Sequence, residues 1–129
     1  MEAKDTRALL VALLADSGAD WKEEAGWIRF RLQKEGAVWE MACRCEDGQA
    51  LCYGRWPFEA ADRARALERC SEINSQLTQG AVFLPKDGRP VFRTRADLKD
   101  PYGARRRLIE AIETNAAAIA RYWGRLCGK

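Results

Sequence analysis

Residues 27–56 read WIRFRLQKEGAVWEMACRCEDGQALCYGRW. Apolar and polar side chains alternate through WIRFRL and again through AVWEMACRC, the period of a strand with one buried face. Glu35-Gly36 and Asp47-Gly48 interrupt the alternation as two-residue reversals, the second an Asp-Gly pair of the kind favoured in type I′ hairpins. With those two turns in place the register follows by counting. Leu32 faces Trp39, Phe30 faces Met41, and Ile28 faces Cys43, which in turn faces Cys52. One face then holds Ile28, Phe30 and Leu32, with Trp39, Met41, Cys43 and Cys45 on the next strand and Cys52 on the third. A slip of one residue would carry arginines into that face, so the pattern specifies its own pairing. The stretch predicts a three-stranded antiparallel meander.

The opposite face of the meander has a different character. Trp27 and Tyr53 alternate there with Arg29, Arg31, Arg44 and Arg55, and Arg31, Glu40 and Arg55 line up as opposite-charge neighbours. Arginine interleaved with aromatics is the composition of protein-interface hot spots. It also resembles the way sheets grip single-stranded nucleic acid. Glu40 at the centre and a net charge of only +3 favour a protein partner over nucleic acid. These seven residues are the candidate partner-binding site. A solvated face of cross-strand ion pairs is the bland alternative.

Outward from the meander, the pattern turns helical. Upstream, Leu10, Leu13 and Leu14 recur at helical spacing, with Asp5 or Thr6 as cap and Gly18 as the left-handed stop. Downstream, a helix is expected from about Glu59 to Gln79, with Ala60, Ala64, Leu67, Cys70, Ile73 and Leu77 as its apolar stripe. Asn74 beside that stripe is expected to tie the helix to neighbouring backbone. AVFL-PKDGRP-VFRTR then reads as a second hairpin, and Asp100-Pro101 as the start of a last helix. Its expected core positions are Ile109, Ile112, Ala116, Ile119, Trp123 and Leu126. They would pack on the sheet or face another copy of the chain. The whole is one α+β domain over residues 1–129, ordered α-β-β-β-α-β-β-α, with about five antiparallel strands. Which edge of the meander the second hairpin joins is left open.

Composition bounds the chemistry. The chain has no histidine, which removes the commonest general base and metal ligand together. No phosphate loop or nucleophile elbow is present, so an enzyme is disfavoured and no cofactor is expected. The apolar run near the N-terminus is too short to span a bilayer and lacks a leader's cleavage pattern. The five cysteines are therefore expected as free thiols in a reducing cytoplasm. Cys43, Cys45 and Cys52 share the inward face with Ile28 and Phe30. A zinc site there would need a fourth sulfur from Cys70 or Cys127, and the Cys-x-Cys spacing on a strand is not that of a zinc knuckle. They read as small buried apolar groups, not metal ligands. A thiol sensor is the alternative, in which the opposed Cys43 and Cys52 could bridge under oxidation; Cys127, beside Arg125 and Lys129, is the more reactive candidate. Arg105-Arg106-Arg107 fan out around the last helix and read as solvated, offset by Glu110 and Glu113.

The order of these elements, together with RWPFEAADRARALERCSEINSQLTQGAVFLPKDGRPVFRTRADL at 55–98, resembles the YbjN family of bacterial proteins. The residues that carry the resemblance are Pro57 and Phe58 at the exit from the third strand, and Leu67, Asn74 and Leu77 on the helix. Gly80, Phe83, Gly88 and the run Phe92-Arg93-Thr94 follow. The resemblance extends over about residues 5–126. It implies a fold like that of type III secretion chaperones, small α+β proteins that dimerise and bind other proteins. It also implies a regulatory or adaptor role, with another protein or a second copy as partner, and supplies no catalytic residues. The cysteine load of the second and third strands is not part of the family pattern.

Overall fold

The computed structural model describes residues 1–127. Its elements are α1 (Ala3–Asp16), β1 (Trp21–Glu24), β2 (Trp27–Lys34), β3 (Ala37–Glu46), β4 (Gln49–Arg55), α2 (Arg63–Gln76), β5 (Ala81–Phe83), β6 (Val91–Asp97) and α3 (Ala104–Leu126). The strands form one antiparallel sheet in the order β1-β2-β3-β4-β6-β5. The second hairpin therefore joins the meander through β6, beside β4, and leaves β5 at the edge.

The meander register is the one counted from the sequence, with Leu32, Phe30 and Ile28 opposite Trp39, Met41 and Cys43, and Cys43 opposite Cys52. Two features of its turns differ. A sixth strand, β1, precedes the meander through an Ala25-Gly26 reversal, which carries none of the Asn-Gly or Asp-Gly chemistry that marks a hairpin in sequence. Ala25 and Glu35 both stand at positive φ ahead of a glycine, so the two reversals they open have the backbone of type I′ turns. Asp47 does not, contrary to expectation; Gly48 alone is left-handed there. The Asp47 carboxylate instead accepts from the Ala3 amide at 2.7 Å, and the Gly48 amide donates to the Met1 carbonyl at 2.8 Å. The N-terminal segment is thus hydrogen-bonded to this turn.

All three helices lie on the face that carries Ile28, Phe30, Trp39, Met41 and Cys52, and the core fills the space between. Their details depart from the simple stripes. α1 begins at Ala3, ahead of the expected caps, because Thr6 is needed inside: its hydroxyl is buried and sits 3.3 Å from both the Glu2 and Glu46 carbonyls. α2 starts only at Arg63, where Asp62 accepts from the Arg65 amide at 3.2 Å. Ala60 and Leu77 lie outside it, Ala64 and Leu67 are exposed, and Ala66, Cys70 and Ile73 are its buried residues. Asn74 does tie the helix down, donating to the Val82 carbonyl at 2.8 Å and accepting from the Val82 amide at 2.9 Å.

α3 starts at Ala104 after the left-handed Gly103, while Asp100 turns the preceding loop by accepting from the Tyr102 amide. Its buried line runs through Leu108, Ala111, Asn115, Ala118, Ile119, Tyr122 and Leu126. Of the expected core positions only Ile119 and Leu126 are fully inside; Ile109, Ile112, Ala116 and Trp123 lie on the flank, half-buried. The helix is rolled because Asn115 enters the sheet. Its amide nitrogen donates to the carbonyls of Cys52 (3.0 Å) and Phe92 (2.9 Å) and to the Thr94 hydroxyl (3.2 Å). Gly54 on β4 makes room for it. A Cβ there would come within 2.2 Å of the Asn115 Oδ1.

The arginines of α3 are engaged. Arg105 pairs with Asp16, Arg106 with Glu110, and Arg107 donates to the carbonyls of Asp97, Asp100 and Tyr102, stapling the loop before the helix. No helix among the described residues is long and apolar enough to cross a membrane.

Candidate functional site

With every helix on one side of the sheet, the other side has no layer of described residues over it. The register lays out its side chains in rows. One row runs Lys22, Arg29, Ala42, Tyr53, Arg93 from β1 to β6. The next runs Arg31, Glu40, Arg55, Val91, Phe83 from β2 to β5. All seven residues proposed from sequence, Trp27, Arg29, Arg31, Glu40, Arg44, Tyr53 and Arg55, stand on this face.

The aromatic rings meet in a chain. Trp27 and Tyr53 pack edge to face with centroids 5.3 Å apart, and Tyr53 and Phe83 do the same at 6.5 Å. Such pairs are worth about 0.5–1.5 kcal/mol beyond the area they bury, so the rings brace one another although they lie at the surface. The Arg44 guanidinium sits 5.8 Å from the Trp27 ring centroid, within cation–π range. Together the rings border a depression of about 260 Å³ whose floor is Ala42 and Val91. Phe83 is 38 % exposed and Val38 45 %, large apolar side chains left open to solvent on this face.

The charges are wired differently from the expected row. Glu40 is in register with Arg31 and Arg55, yet its carboxylate pairs diagonally with Arg29 at 3.2 Å. Arg55 turns instead to Asp87, in the loop between β5 and β6, and Arg44 to Glu46 at 3.5 Å. Arg31 and Arg93 make no ion pair among the described residues. Sequence reasoning missed Phe83, Val91, Asp87 and Arg93 as members of this surface. The hairpin that carries them was legible, but its attachment to β4 was not.

The thiols sit on the opposite side of the sheet. Cys43 and Cys52 are wholly buried and Cys45 is half-buried, all as free cysteines. A hydrogen bond with Cys52, together with burial, pushes the Cys43 thiol well above its ordinary range. Burial pushes Cys45 up to about 11. Thiolates are the reactive form, so this arrangement holds both sulfurs in their unreactive one. Cys127 is partly exposed at the end of α3; Lys129, its expected neighbour, lies outside the described residues. Among the described residues no three cysteine, aspartate or glutamate side chains are grouped to hold a metal ion.

A family model matches residues 6–122, nearly the whole chain: YbjN, described as "Putative bacterial sensory transduction regulator". No curated protein and no solved structure matches the chain.

Proposed function

This chain belongs to the YbjN family, and from that premise we propose that it is a non-enzymatic, cytoplasmic regulatory protein that works by binding another protein on the open face of its sheet. The observation that supports this most is the contrast between the two faces. One is sealed by three helices; the other holds three braced aromatic rings, a shallow apolar floor and a set of arginines with no covering layer among the described residues. Interfaces are anchored by aromatic and arginine side chains around a desolvated centre, and that is the inventory of this face. The groups a catalyst would need are not gathered there. Glu40 is occupied by Arg29, Asp87 by Arg55, and the Cys43 and Cys52 thiols lie beneath the sheet.

The test is to purify the tagged protein from its native cell beside a Trp27→Ala/Tyr53→Ala double variant whose thermal unfolding shows that it still folds. Proteins enriched by the first and lost by the second support the reading. Identical capture by both, or none by either, overturns it. The same aromatics and arginines favour a second reading, single-stranded nucleic acid laid across the sheet. That binding would weaken steeply with added salt, and no complex with oligouridine or oligothymidine at low salt would eliminate it.

A further inference from the structure

The apolar depression does not end at its arginine rim. It shares Arg29 and Glu40 with a second, larger depression of about 520 Å³, lined also by Lys22, Arg31 and Asp20. This second hollow lies where β1 runs out: β1 pairs with β2 only from Trp27 to Phe30, and beyond Arg31 that edge of β2 is open. Its charges are unbalanced. Lys22 stands directly opposite Arg29, a like-charge pair that costs stability in an antiparallel sheet. Arg29 takes the Glu40 carboxylate, so Lys22 and Arg31 are left without an ion pair among the described residues. Across the apolar floor, Arg93 beside Tyr53 is in the same position.

From this juxtaposition we infer that the face takes an acidic segment of a partner protein in extended form, one large apolar side chain entering the hollow over Ala42 and Val91 and carboxylates following onto Arg31 and Lys22. The inference rests on the docking reading above and specifies its partner. Strands are spaced about 4.8 Å apart and residues along a strand about 3.4 Å, so Arg31, two strands over and one row along, lies about 12 Å from Tyr53, and Lys22 on β1, in Tyr53's own row, about 14 Å. An extended peptide covers about 3.3 Å per residue. The acidic positions therefore fall about three to four residues from the anchor. Nucleic acid fits less well. Its phosphates repeat along the whole strand and would meet Glu40 and Asp87 as well as the arginines, whereas a peptide can place an apolar group between the two ion pairs.

The probe is a short labelled peptide in which one tryptophan is followed, about three to four positions on, by glutamates, with glycine and serine elsewhere. Fluorescence anisotropy at low salt is the readout. The acidic peptide should bind, and its glutamine counterpart should bind at least about tenfold more weakly. Arg31→Glu should remove that difference, while Tyr53→Ala weakens both peptides. Arg31 is exposed, so its variant tests the idea even if Tyr53→Ala disturbs the fold. Equal binding of the acidic and glutamine peptides overturns the acidic specificity and leaves protein docking standing. Binding of a uridine oligonucleotide with no peptide bound overturns both. Absence of all binding overturns the acidic segment, and the capture experiment then decides the docking reading alone.

Discussion

Asn115 is wholly buried, and three acceptors converge on its amide nitrogen while its Oδ1 has no hydrogen-bond partner. The reverse orientation would set oxygen against two carbonyl oxygens, so the orphan acceptor is the lesser cost. Gly54 carries the consequence, because Oδ1 rests over its Cα and the Ile119 side chain closes the remaining space at 3.0 Å. Gly54→Ala is expected to destabilise the protein by about 1–3 kcal/mol through overpacking. In an Asn115→Ala background, with the blocking oxygen gone, the same change should cost clearly less. Urea unfolding of both single variants and the double variant measures this, and additive costs would show that the two residues do not share the site. None of it was legible in the sequence. Asn115 stands in a run of alanines on a helix, and its partners come from strands more than twenty residues away at the nearest.

Helix α2 and strand β5 illustrate how an element depends on a few bonds. β5 has only three residues and lies at the sheet edge, held by β6 on one side and by the two Asn74 hydrogen bonds to Val82. Asn74→Ala removes both and leaves a backbone pair of β5 unmatched, at a cost of about 1–3 kcal/mol. The Val82 amide should then exchange with solvent faster, while amides of β2 and β3 keep their protection. Unchanged exchange at Val82 would mean that β6 alone holds the edge. That Asn74 anchors something could be read from its place beside an apolar stripe. The roll of α3 could not, since Ile109, Ile112 and Trp123 offered as good a stripe as the one the sheet accepts. β1 escaped notice for a local reason: its Ala-Gly turn puts an exposed alanine in the left-handed conformation that a two-residue hairpin turn requires and propensity argues against.

Across the whole molecule, the thiols between sheet and helices make stability depend on alkaline pH. Cys43, Cys45 and Cys70 all have folded-state pKa values raised above the ordinary 9.0, Cys45 to about 11. Folding therefore favours their protonated form. The contribution is fully present below pH 9, is lost as pH rises from there through 11, and then declines no further for Cys45. Urea midpoints should fall between pH 9.0 and about 11, and Cys45→Ala should fall less steeply than the parent. Parallel slopes would exclude a part for this thiol.

The meander, its register, the sidedness of its residues and the helical character of the flanking segments were determined by the sequence itself. Strand alternation and two-residue turns are local devices, and a one-residue error in them would bury arginine. The face carrying Trp27, Tyr53 and the arginines follows from that alternation alone. Only the tertiary structure decided that β6 lies beside β4, that α3 turns Asn115 inward, and that Glu40 chooses Arg29 over Arg31. The first two of those outcomes compare partners far apart in the chain whose local signals are equal, and packing energy, which exists only once the layers meet, settles between them. In the third, Arg29 and Arg31 both stand on the strand beside Glu40, and only the side-chain geometry on the open face separates them.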